Sequence, residues 1–260
     1  MIANPIEHDL PYSNGLIAYE SPIMRIEALG MFQVTLDGKR LPRPSGRAGR
    51  LFKYLLCARN HTAPKEEIAE TLWPDDPNGF KNLHAAAHDV RTWLKAAGHL
   101  VYSSSEYSLD SFAIDADDFE RTVQYGRARW PTNPAAGRQA YEAAVLTYGG
   151  PFLPDELYAG WVVTRRERLE ARFIEAALKV ARCFLDECDP EPALELAIRV
   201  SEIDEGIEDA VRLEMEALAR LGRRSQALRR YEKLKLFLNR ELHCRPDAAT
   251  ETVRSRVLGQ

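Results

Sequence analysis

The sequence predicts a mostly α protein in two parts: a mixed α+β unit over residues 24–114 and an all-α unit over 115–260. Three observations predict it. Before residue 115 apolar side chains alternate in short runs, the period of strands, around three segments of helical period. Beyond it the apolar spacing is helical throughout. Near the C-terminus Ala193 and Ala227, each opening a pair four residues apart (Ala193/Ala197 and Ala227/Tyr231), are separated by 34 residues, the length of a tetratricopeptide helix pair.

Each element follows in order. Residues 1–23 carry three prolines and little periodicity, so they are expected to form a flexible arm. In "MRIEALGMFQVTLDGKRL" Ile26, Ala28, Phe32, Val34 and Leu36 alternate, and Asp37-Gly38 supplies the positive φ of a type I′ hairpin turn. "GRAGRLFKYLLCARNH" sets Leu51, Tyr54, Leu55 and Ala58 at helical spacing. "TAPKEEIAETLWP" reads as a second helix with Thr62 as its cap, Pro64 in its first turn and Pro74 at its end. "NLHAAAHDVRTWLKAAG", residues 82–98, is the third helix, and "GHLVYSSSEYSLDSFAID" alternates again as a short hairpin. Strands, three helices and a hairpin are the order of a winged helix-turn-helix. After it, helices are predicted over 117–128, 135–148, 160–187, 190–203, 207–221, 224–241 and 248–258, stacked as tetratricopeptide-like repeats.

The third helix carries two faces. Leu83, Ala87, Val90 and Leu94 share one apolar stripe. Lys81, His84, His88, Arg91 and Lys95 form a continuous row between about 80° and 160° from Leu83 at 100° per residue. Such a helix fits a major groove, where Lys, Arg and His donors reach base edges and phosphates. These five are the expected base-facing residues. Between Asp37 and Glu66, 28 residues hold eight Lys or Arg and no Asp or Glu. Within and beside that run Arg43, Arg47, Arg50 and Lys53 are the expected phosphate contacts, joined by Tyr107 of the hairpin.

Composition narrows the alternatives. With 45% hydrophobic and 28% charged residues the chain is globular, and its net charge of −4 confines any nucleic-acid surface to a local patch. No run approaches the roughly 18 apolar residues of a membrane span, so no membrane contact and a cytoplasmic location are expected. Cys57, Cys183, Cys188 and Cys244 form no CxxC pair and read as reduced structural residues. His84 and His88 stand four apart, but no glutamate follows His84 and no third ligand lies near, so no metal is expected. GxxxxGK[ST], GxSxG and HExxH are absent, and no enzyme activity or cofactor is implied. "IDADDFE" reads as charge on a helix start, "YGGPFLP" as a turn before the long helix, and Trp73 and Trp161 as core or interdomain anchors.

"LPRPSGRAGRLFKYLLCARNHTAPKEEIAETLWPDD", "NLHAAAHDVRTWL" and "EYSLD" resemble the OmpR-type winged helix of the SARP family of bacterial regulators. "AAVLTYGGPFLPDELYAGWVVTRRERL", "ALARLGRRSQALRRYEKLKLFLNREL" and "RPDAAT" resemble that family's bacterial transcriptional activation domain, so the likeness spans residues 25–258. It implies a DNA-binding transcriptional activator whose partners are double-stranded promoter DNA, RNA polymerase through its sigma or alpha subunit, and a second copy in a homodimer. Two positions depart from the pattern. The third helix has "HDVRT", with Asp89, where a basic string is usual, and the hairpin has "SSSEY", with Glu106, where glycine is usual. Both departures favour an alternative: a non-enzymatic protein-interaction or effector-binding module whose winged helix has weakened DNA affinity.

Overall fold

The computed structural model describes residues 24–95 and 99–259. The predicted arm and the last residues of the predicted third helix lie outside them. The chain runs β1 (Met24–Glu27), β2 (Gln33–Leu36), β3 (Lys39–Arg40), α1 (Gly46–Cys57), a 3-10 turn (Arg59–His61), β4 (Thr62–Pro64), α2 (Lys65–Leu72) and α3 (Gly79–Leu94). It continues through β5 (Leu100–Ser103), β6 (Glu106–Leu109) and β7 (Phe112–Ile114) into α4 (Asp115–Arg129), α5 (Pro134–Thr147) and α6 (Gly160–Asp186). It then forms α7 (Pro190–Ile203), α8 (Glu208–Arg220), α9 (Arg224–Glu241) and α10 (Ala248–Gly259). The fold is mostly helical, with a small α/β part first and a helical array after it. Among the described residues no helix is long and apolar enough to cross a membrane.

The first sheet has the order β3-β2-β1-β7. Met24 and Ile26 point inward and Arg25 and Glu27 outward, as period two requires. Asp37 and Gly38 both have positive φ, which fits the predicted type I′ turn. The second sheet, β4-β6-β5, is the wing, and its hairpin turns through Ser104 and Ser105, also at positive φ.

Two local readings change. Thr62 does not cap α2; it lies in β4, paired with Ser108, and its hydroxyl donates to Asn60 O. The extended Thr62–Pro64 backbone is taken by the wing, and α2 starts at Lys65 with Pro64 before it. Nor does Phe112–Ile114 belong to the wing hairpin. It crosses to the first sheet and pairs in parallel with β1, Met24 opposite Phe112 and Ile26 opposite Ile114.

That crossing fastens the two parts together. The Asp115 carboxylate, at the start of α4, accepts the backbone N–H of Ala28 at 2.9 Å and of Leu29 at 3.0 Å. Burial raises its pKa, although the Leu29 and Ala28 amides pull the other way. The "YGGPFLP" segment is more than a turn. It bridges Leu29 to Phe152, Leu153 N donates to Ala28 O, and Gly30 N donates to Pro151 O. Gly30 has φ +82°, and a Cβ there would meet Gly149 O at 2.4 Å, so only glycine fits the crossing. A continuous cluster of buried side chains runs from Met24 to Ala217, so the α/β part and the first helices share one core. A second cluster, including Val211, Tyr231, Leu234 and Val257, lies among α8, α9 and α10. Ala193, Ala197, Ala227 and Tyr231 are all buried, the three alanines as small residues at close helix contacts should be and Tyr231 as a large core side chain.

Candidate nucleic-acid interface

The buried face of α3 is Leu83, Ala86, Ala87, Val90 and Leu94, which includes every residue of the predicted stripe. It packs on α1 and α2. Phe52 of α1 meets Trp93 edge to face at 5.1 Å, and Trp93 Nε1 donates to Pro42 O at 2.8 Å. With one side so fixed, the opposite flank is turned outward. Lys81, His84 and His88 are exposed there. Arg91 is half-buried, its Nε donating to Leu100 O at 3.2 Å, which ties the helix to the first strand of the wing. Lys95 is exposed but has left the row: α3 ends at Leu94 and Lys95 is left-handed, with φ 54°.

The expected phosphate group divides. Arg50 is exposed, with no ion pair among the described residues. Arg47 is exposed, and its Nε lies 2.6 Å from Asp89 Oδ2. Arg43 is exposed and 3.1 Å from Asp155. Lys53 is not available to a phosphate. Its side chain is 9% exposed, its Nζ is 2.7 Å from Glu156 Oε1, and it lies over the Phe32 ring at 5.0 Å. Three residues advance about 300° on a helix, so Arg47, Arg50 and Lys53 each step back about 60°. Lys53 thereby comes round to the side that the 152–156 segment covers. Tyr107 is likewise corrected. It is 2% exposed, because β6 turns Tyr107 and Leu109 inward. Its hydroxyl lies 3.3 Å from His84 Nδ1, and burial raises its pKa. It props the row from behind. The exposed aromatic of the wing is Tyr102, stacked at a tilt on Tyr107 with centroids 4.7 Å apart.

Sequence reasoning missed the group that sets α1 against the helical array. Arg165 of α6 is 5% exposed. It donates to Leu56 O at the last turn of α1 and to the Asp117 carboxylate, and lies over the Phe152 ring at 4.9 Å. His61 Nε2 is 2.8 Å from the other Asp117 oxygen. Burial would raise the Asp117 pKa, but the His61 hydrogen bond and the Arg165 charge outweigh it and hold the carboxyl below its ordinary value. Tyr54 and Trp161 meet edge to face across the same junction at 5.8 Å, so Trp161 is the anchor expected of it. The only available signal for Arg165 was its place on the same helical face as Val162 and Leu169, near the start of a long helix.

The arrangement is similar to that of Mycobacterium tuberculosis EmbR, solved in complex with a low affinity phosphopeptide. The TM-score is 0.74 with 19% identity, over 92% of this chain and 65% of that one, a likeness of fold. The chain thus spans just under two thirds of the length of that structure. No curated protein sequence matches this one. The family model described as "Bacterial transcriptional activator domain" matches residues 114–258, the stretch from the end of β7 through α10. With more than half of its length so matched, beneath a winged-helix-like N-terminal part, the chain belongs to the bacterial transcriptional activator domain family of SARP-type regulators.

Proposed function

We propose that the chain binds double-stranded promoter DNA through α3 and activates transcription, its helical array meeting RNA polymerase through the sigma or alpha subunit. In this reading residues 24–114 are the DNA-binding unit, residues 115–260 the activating unit, and the cytoplasm the site of action. The observation that carries the reading is the exposed row Lys81, His84 and His88, held outward by the packing of the opposite face of α3 on α1 and α2. Arg91 at the wing side and Arg50 on α1 extend it. A helix presented in this way enters a major groove, with side chains on its row reading bases and basic residues beside it holding phosphates.

One observation favours a second reading. Asp89, Asp155 and Glu156 engage Arg47, Arg43 and Lys53, so much of the basic run is already paired within the molecule. That suits a non-enzymatic interaction or effector-binding module with weak DNA affinity. Fluorescence anisotropy with DNA from the gene's own upstream region, at two salt concentrations, separates them. The first reading expects tight, salt-sensitive binding that survives an excess of unrelated duplex. Binding no tighter than to unrelated duplex would hand the case to the second.

A further inference from the structure

Two exposed rows in the helical array lie outside the candidate nucleic-acid interface described above. On α7, Glu191, Glu195, Ile198 and Glu202 follow one another at steps of 4, 3 and 4, and all are exposed. On α9, Arg229, Lys233, Leu236 and Arg240 follow at the same steps, and all are exposed. Each row is three like charges around one aliphatic side chain, Ile198 at 40% exposure and Leu236 at 69%. The signs are opposite and the spacing is identical, residue n of α7 corresponding to residue n + 38 of α9.

Such rows are unfavourable in isolation. Like charges four apart, Glu191 with Glu195 and Arg229 with Lys233, weaken a helix slightly. Among the described residues Glu191, Glu195, Glu202 and Arg229 have no ion-pair partner. Lys233 has Glu205 at 2.8 Å and Arg240 its neighbour Glu241 at 3.2 Å, both exposed pairs of small worth. Within one chain both rows face solvent, on helices that each pack against α8.

We propose that the occupant of each row is a second copy of this chain, the acidic row of α7 docking on the basic row of α9. Set parallel, the helices bring Glu191 to Arg229, Glu195 to Lys233, Ile198 to Leu236 and Glu202 to Arg240 of the second copy. Every charge then meets its opposite, and the two exposed aliphatic side chains cover each other. The contact is heterologous: a copy uses one row toward one neighbour and keeps the other row free. One helix laid on another is small for a protein interface, so the association is weak and concentration-dependent, and its charges make it specific and salt-sensitive.

Sedimentation velocity on the full chain tests this without DNA. The wild type should self-associate at about 100 μM protein in low salt and dissociate near 1 M salt, where the screening length falls to about 3 Å. Glu191→Arg with Glu202→Arg should abolish association, and so should Arg229→Glu with Arg240→Glu. An equimolar mixture of the two double variants should associate again, because the reversed α7 row of one fits the reversed α9 row of the other. Leu236→Ala, at a site too exposed to threaten folding, should weaken association about tenfold. A wild type that stays monomeric in low salt overturns the proposal. So do charge-reversed variants that associate as the wild type does, a mixture that stays monomeric, or a Leu236→Ala protein indistinguishable from wild type.

Discussion

Arg47 Nε donates to Asp89 Oδ2 across 2.6 Å, so the sole acid of α3 is bound to the first turn of α1. The departure at Asp89 is thus an ion pair rather than a bare negative charge beside the row. Both side chains are well exposed, so the pair adds little stability, but it occupies an arginine otherwise free to hold a phosphate.

Asp89→Asn should therefore tighten DNA binding and steepen its salt dependence by about 0.9 in log–log slope, the worth of one released counterion. The melting temperature should hardly move. Asp89→Arg would add a charge but set it against Arg47, so it should gain less per charge added. A slope unchanged in the asparagine variant would place Arg47 away from the duplex. Titration of one fragment at several salt concentrations gives the answer.

Arg50 and Arg91 should fail differently. Arg50→Ala should weaken cognate and unrelated DNA alike and lower the salt slope by about one. Arg91→Ala should cost on the order of 1–3 kcal/mol on the cognate site and relax base preference. It should also loosen the wing, since Arg91 Nε holds Leu100 O. Competition with a set of single-base operator variants distinguishes the two patterns.

The long helices were legible because they hold helical period over many turns and end at marked residues. Pro134 and Pro190 open α5 and α7, and Gly222, at φ 72°, separates α8 from α9. β4 was not legible as a strand and β7 was read into the wrong sheet, for three residues are too few to show which partner they take and those partners are distant. The exposed row of α3 followed from rotation alone, one local helix being enough to define its faces. Lys53 could not be placed that way. Its neighbours made it look like a surface cation, and what buries it is Glu156, 103 residues further on. Tyr107 was misplaced for a smaller reason: which face of a two-sided strand turns inward depends on what packs behind it, here the main core cluster that Tyr107 joins.

Acid should loosen the junction at Asp117. Its folded pKa lies below the ordinary 3.8, so the stability it gives is present above that value and is lost as pH falls through the folded pKa. Asp115 has the opposite sign: its raised pKa costs stability as pH rises from 3.8 through the folded value. Asp117→Asn should melt lower than wild type at neutral pH and lose less on acidification below pH 3.8. Thermal melts across an acid series check both halves, and parallel curves for the two proteins would contradict the assignment.

Ala227→Glu should be severe. Ala227 is fully buried in the cluster of α8, α9 and α10, and a carboxylate there has no partner among the described residues. The cost should be at least about 3 kcal/mol, enough to loosen the last helices. Circular dichroism melting and proteolysis near α9 and α10 would register it. A melting temperature like that of wild type would mean that α9 packs through another face.

The glycine crossing at Gly30 and the parallel pairing of β1 with β7 have a consequence for promoter layout. Together they tie the first sheet to the start of the helical array among the described residues, so in the proposed reading an operator held by α3 dictates the compass bearing of the array about the duplex axis. Inserting half a turn, about five base pairs, between operator and promoter swings the array to the far side of the DNA, while a full turn of about ten and a half brings it back. In the proposed reading, regulation would rise and fall with the phase of that spacing and not simply with its length.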